Sequence, residues 1–463
     1  MFSLSTRRSV ARRSNCLAKT SAIVRSRAEN TSYSLLSRRE FQSTPATAAD
    51  RPTWMPMRVK TPWIDALNRS REAAKPGHVE APRAKPNLAP KKMSDSYYSA
   101  ILPLAQDKWL LDSYLNASGH IRLGSLLMDL DAFAGVIAAR HTGDSVTTVT
   151  AAADRITIEH PLMEICDLEL SGQVSYATGR SSMEISLQVA KAPAPGEKPG
   201  PEDILITCAF TMVSLDPVTK APASIPPLLV ETDEERELFK KGEANYQAKK
   251  ASRKRSLLAQ APDDEESNLI HSLWTKEMSY RNPESPAQRP PNTVSMTDTV
   301  LKSAMIMQPQ YRNRHNFMIF GGFLLKQSFE LAFCCAASFS HARPNFISLD
   351  PSTFENPVPV GSVLYLRATV AYAEPLEREG AESKYTRIQV RVDTKVRDVE
   401  HGTKKSTGMF NYTFLVEGDV HVIPKSYSEY MVWTDARRRA RNTDLLTPGK
   451  ELSALRSLDS VTE

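Results

Sequence analysis

What the 463 residues lack narrows the field first. No run of 18 apolar residues occurs, so no segment reads as an integral membrane helix. The five cysteines (Cys16, Cys166, Cys208, Cys334 and Cys335) include no CxxC pair, and no disulfide framework is expected. Nine histidines are scattered without HxxxH spacing, and no cysteine cluster accompanies them, so no metal site is expected. No Gly-x4-Gly-Lys-Ser/Thr loop is present to cradle nucleotide phosphates. No cofactor is called for.

Acidic residues are scarce at the N-terminus. Met1 to Ala49 holds nine basic residues against two acidic ones, which accounts for the net +6 of the whole chain. The remaining body is near neutral, and that gives no electrostatic case for nucleic acid. An Arg-rich, Ser-rich, acid-poor start reads as a mitochondrial presequence, and Arg39-Glu40-Phe41-Gln42-Ser43 resembles a matrix-peptidase cleavage site. Residues 1–43 are therefore expected to be removed and the body to lie in the mitochondrial matrix. Residues 44–92, rich in Pro, Ala, Arg and Lys, read as an extended lead-in.

The body contains a long repeat. Residues 93–216 and 293–420 each show an apolar helical pattern followed by strand-like runs. The helices span Gly124 to Arg140 and Gly321 to Ser340. The strands expected after them are Val146 to Ile158, Asp167 to Thr178, Ser182 to Val189 and Ile204 to Leu215 in the first half. In the second half they are Phe346 to Leu349, Val363 to Tyr372, Tyr385 to Thr394 and Thr407 to Val416, with Val300 to Met307 ahead of the helix. Gly124 and Gly322 stand 198 positions apart, and Asp154 with His160-Pro161 corresponds to Asp350 with Asn356-Pro357 at 196. A period this long is a domain duplication, since solenoid repeats run to about 50 residues. A helix apolar over much of its circumference must be wrapped by the strands that follow it. The fold class expected is α+β, a tandem pair of hotdog domains, each a curved antiparallel sheet around one long helix. Residues 217–292 form a linker with a charged helix, Glu231 to Leu258, and residues 421–463 a tail.

Two segments carry a resemblance. One is Met128-Asp129-Leu130-Asp131-Ala132-Phe133-Ala134-Gly135-Val136-Ile137-Ala138-Ala139-Arg140-His141. The other is Gln308-Pro309-Gln310-Tyr311-Arg312-Asn313-Arg314-His315-Asn316-Phe317-Met318-Ile319-Phe320-Gly321-Gly322. Over about residues 95 to 420 the chain resembles the acyl-CoA thioesterases with two hotdog domains, and most of all their mitochondrial branch. The resemblance implies hydrolysis of fatty acyl-CoA by an Asp in the helix of one hotdog with an Asn in the loop of the other. It also implies association of double-hotdog units into a larger homo-oligomer.

Asp131, seven residues after Gly124, matches the acid. Asn313 matches the loop Asn, with Asn316 as the alternative because the second half has one extra residue before its glycine pair. A carboxylate there can act as general base or as nucleophile. The backbone N–H groups of Gly321 and Gly322 are candidate oxyanion donors at a helix start, where glycine lets a thioester come close. The reverse pairing is degenerate. Asn116 stands where the Asn belongs, but Phe329 occupies the acid position, and the adjacent Glu330 is rotated by about 100°. Asp129 is expected to be solvated. His141 is assigned a structural place at a helix C-terminus.

Two rivals remain. A hotdog acyl-CoA hydratase would use an Asp–His pair on one loop, which is not the pairing present. A non-catalytic acyl-binding or scaffold double hotdog would not need Asp131 or the glycine pair.

Overall fold

The computed structural model describes residues 53–54, 62–73, 87–160, 164–194, 197–254, 260–282, 284, 287–314, 317–376 and 385–446. Residues 1–43, expected to be a presequence, lie outside them, as do His315 and Asn316.

The lead-in is not extended throughout, since it contains helix α1 (Trp63–Ala73). The first half then runs β1 (Tyr98–Leu102), α2 (Leu123–Thr142), β2 (Thr147–Ala153), β3 (Ile156–Ile158), β4 (Leu168–Ala177), β5 (Ser182–Lys191) and β6 (Ile204–Leu215). The linker carries two helices where one was expected, α3 (Asp233–Lys254) and α4 (Asp264–Arg281). The second half runs β7 (Leu301–Ile306), α5 (Gly321–Ser340), β8 (Asn345–Leu349), β9 (Ser352–Thr353), β10 (Val363–Pro375), β11 (Tyr385–Arg397) and β12 (Lys404–Glu417). The tail forms α6 (Tyr427–Leu446).

The strands join into a single 12-stranded antiparallel sheet in the order β7-β10-β11-β12-β8-β3-β6-β5-β4-β1, with β9 paired to β2 and β2 to β6. The halves meet where Ser348 and Leu349 of β8 pair with Thr157 and Ile156 of β3. Register shifts recur at matching places in both halves: Val174/Tyr176 with Val370/Tyr372, and Thr150/Ala152 with Phe346/Ser348. Such shifts bend a strand and sharpen its twist, and here they curve each half of the sheet around its helix.

The apolar stripe of α2 explains the wrap. Leu127, Leu130, Phe133 and Ile137 are fully buried, each contributing about 1.5–3 kcal/mol of hydrophobic stabilisation. Helix α5 does the same with Leu325, Ala332 and Ala336. This is the hotdog arrangement twice over, in one continuous apolar core.

Each half is also backed by an appended helix. Helix α3 lays Phe239 and Tyr246 against Tyr176, and α6 lays Trp433 against Tyr372, 196 positions further on. Each appended helix also sends a cation to the repeat's aspartate. Lys249 Nζ lies 2.8 Å from Asp154 and Arg439 Nε 3.5 Å from Asp350, which Arg155 of the first half also reaches at 3.3 Å. Burial pushes both carboxyls upward from the ordinary range, and these cations pull them back.

Candidate active site

Helices α2 and α5 cross at their N-terminal halves, and the crossing brings Asp131 to the start of α5. Asp131 is 4% exposed. Its Oδ2 accepts a hydrogen bond from the Gly322 N–H at 2.6 Å, and its Oδ1 accepts one from the Thr150 hydroxyl on β2 at 2.6 Å. A carboxylate is the natural complement of a helix N-terminus, whose first N–H groups have no intrahelical acceptor and sit at the positive end of the dipole. The acid of one half thus completes the helix of the other.

The glycines also let the two helices come close together. A Cβ on Gly322 would stand 2.6 Å from the Met128 carbonyl oxygen and 2.9 Å from the Asp131 Cβ. Only glycine admits the facing helix this closely. One on Gly321 would meet Thr150, Phe354 and the Asp131 carboxylate at 3.2 to 3.4 Å. With the Gly322 N–H already on Asp131, the helix start offers the Gly321 N–H, which as the first residue of α5 has no intrahelical acceptor.

Asn313 lies in the loop before α5, where its N–H bonds to the Met318 carbonyl at 2.7 Å and Arg312 bridges to Ile319. The first half builds the same loop with one residue fewer. There the Asn116 N–H bonds to His120 at 2.8 Å, and Leu115 bridges to Ile121. Asn313 is therefore the positional counterpart of Asn116, while the alternative Asn316 lies outside the described residues. The Asn116 side chain is occupied in its own loop, where Oδ1 accepts from the N–H groups of Ser118 (2.9 Å) and His120 (3.2 Å).

The second crossing shows what replaces the acid. Phe329 packs edge-on against Phe346 at 5.5 Å, with Tyr412 at 5.8 Å and Phe414 at 6.0 Å. Phe346 precedes the register shift of β8 as Thr150 precedes that of β2. The hydrogen-bonded pair Asp131–Thr150 thus has an aromatic pair as its counterpart. Glu330 does not turn away as expected. Its Oε1 comes 2.5 Å from Arg122 Nη2 and 3.3 Å from where a Cβ on Gly124 would stand. Its longer side chain bridges the rotation and ends in an ion pair.

Two other expectations change. Asp129 is buried, not solvated, and accepts a hydrogen bond from the Tyr114 hydroxyl. His141 is structural, but through burial rather than charge. Its Nε2 lies 2.8 Å from the Pro226 carbonyl, and desolvation lowers its pKa from the ordinary histidine value. Thr150 was missed altogether. It sits 19 residues from Asp131 on a strand, and only the curvature of the sheet brings them together.

Among the described residues no cluster of His, Cys, Asp and Glu could hold a metal ion. No helix there is long and apolar enough to cross a membrane.

No family model matches the chain, but curated relatives do. Acyl-coenzyme A thioesterase 9, mitochondrial, of Mus musculus is 35% identical over 393 residues, covering 83% of this chain and 86% of that protein. The protein of the same name from Homo sapiens is 34% identical, covering 82% and 84%. Acyl-coenzyme A thioesterase 4, mitochondrial, of Humulus lupulus is 32% identical over 385 residues, covering 79% and 69%.

Proposed function

The chain belongs to the family of mitochondrial acyl-CoA thioesterases with two hotdog domains, and on that premise we propose that it hydrolyses fatty acyl-CoA to free fatty acid and CoA at one of its two helix crossings. The observation that carries the single-site reading is the bridge made by Asp131 between Thr150 and the Gly322 N–H, set against Phe329 and Phe346 at the matching positions.

In this reading Asp131 is a general base. Both its oxygens are held by donors at 2.6 Å, which fixes the carboxylate in place and tempers its own attack on a carbonyl. A carboxylate so placed can take a proton from water. Asn313 holds that water in line. Hydroxide attacks the thioester carbonyl carbon, and the oxygen that becomes negative turns to the Gly321 N–H and the positive end of α5. Collapse breaks the carbon–sulfur bond, and CoA leaves as the thiol after recovering the proton. The mitochondrial names of the relatives agree with the presequence reading of residues 1–43, and we assign the mature chain to the matrix.

Steady-state release of free thiol from a series of acyl-CoAs tests this. Asp131→Asn keeps a carbonyl oxygen for the Gly322 N–H and an amide for Thr150, so folding survives while kcat falls by roughly two or more orders of magnitude, the scale of a lost general base. Thr150→Val lowers kcat by a smaller factor. A folded Asp131→Asn variant with near wild-type kcat removes Asp131 from the mechanism.

A further inference from the structure

The lead-in touches both halves, and its second contact falls on the loop that carries Asn313. At its first contact, the Trp54 N–H bonds to the Ile101 carbonyl at 2.7 Å, and its ring packs edge-on against Phe133 of α2 at 5.1 Å. At the second, helix α1 presents Trp63, with the guanidinium carbon of Arg312 5.6 Å from the centre of its ring and Phe317 at 5.7 Å. Arg312 is buried and Phe317 half exposed. Arg312 immediately precedes Asn313 and Phe317 follows it by four residues, so a single indole touches the loop at two points. On the other flank Arg314 Nη2 reaches Asp144, just beyond the end of α2, at 2.7 Å. Both partners of that ion pair are largely exposed, and such pairs hold little. Ring contacts of a partly buried tryptophan hold more.

We propose that Trp63 is a positioning residue of the active site. It braces the Asn313 loop from outside, making the lead-in helix α1 a working part of the enzyme. This rests on the reading of Asn313 as the group that orients water or thioester. Residues ahead of the first hotdog domain then support chemistry carried by the loop of the second.

The experiment is a double-mutant cycle in the full chain, with Trp63→Ala, Trp63→Phe, Asn313→Ala and the Trp63→Ala/Asn313→Ala double variant. Each is measured for kcat and KM on acyl-CoA and for its melting temperature. Trp63→Ala should lower kcat roughly tenfold, the scale of partly lost orientation, with KM and melting temperature little changed. Trp63→Phe, which retains a ring over Arg312 and against Phe317, should recover most of the rate. The double variant should be no slower than Asn313→Ala alone, because a brace has nothing left to position. Additive losses would place Trp63 elsewhere and overturn the proposal. If Asn313→Ala is impaired while Trp63→Ala keeps full kcat, the proposal falls alone. If Asn313→Ala keeps full kcat, the reading of Asn313 falls and takes the proposal with it.

Discussion

Gly124→Ala and Gly322→Ala are the same chemical change at the same position of the two halves, yet the structure separates their outcomes. At Gly322 the added methyl would stand 2.6 Å from the Met128 carbonyl oxygen, which is backbone of the facing helix and cannot swing aside. The helices must part by several tenths of an ångström or more. That overpacking costs about 1–3 kcal/mol, or roughly 2–4 °C of melting temperature per kcal/mol for domains of 150–250 residues. The same displacement pulls the Gly322 N–H from Asp131, and misplacing a catalytic group by about 1 Å can cost 100-fold in rate. At Gly124 the methyl would meet only side-chain atoms, the carboxylate end of Glu330 at 3.3 Å and the Phe329 ring at 3.4 Å first. Alanine is also the better helix former there by up to about 1 kcal/mol. Thermal melts and acyl-CoA turnover should therefore show Gly124→Ala near wild type, with Gly322→Ala less stable and at least tenfold slower. Equal damage from both, or none from Gly322→Ala, would refute the reasoning.

The two loop asparagines should part in a similar way. Asn313→Ala should lose at least tenfold in kcat, while Asn116→Ala keeps its turnover and loses about 0.5–1.5 kcal/mol of stability from its loop hydrogen bonds; equal losses of rate would end the single-site model. Glu184 is pushed up to about 7 by burial and, next, by the charge of Asp154, where the second half has Gln389 at the matching register. A raised carboxyl contributes stability that is full below its unfolded value of 4.5 and lost as pH rises through about 7. Glu184→Gln should therefore raise the melting temperature at pH 8, with the gain shrinking toward pH 5; a gain independent of pH would contradict that sign. N-terminal sequencing of the native protein should begin near residue 44, and a chain still starting at Met1 would sink the presequence reading.

Legibility in the sequence followed the range of the forces involved. Helix α5 and strand β6 lie at the boundaries expected from periodicity, because both are apolar runs with clear ends. The duplication was visible because Asp154 and Asp350 keep their spacing to a following proline. What was lost depends on contacts distant in sequence. Thr150 becomes a partner of Asp131 only when β2 bends over α2. Glu330 reaches Gly124 because a glutamate side chain is long enough to make up a helical step. The lead-in and tail hide α1 and α6, which bury only a few apolar residues, Ala66, Trp433 and Ala436 among them, while Ile64 and Tyr427 stay exposed.

The two crossings sit in one covalent chain, and that determines what substitution can do to them. In a symmetric pair of identical subunits, every change is made twice, and trading an acid for phenylalanine would erase both centres together. Fusion removes that constraint. Phe329 and Phe346 show one half given over to packing while its twin keeps the polar arrangement. The fused pair is formally a dimer that has given up its symmetry, and each half is free to drift in a direction the other does not follow.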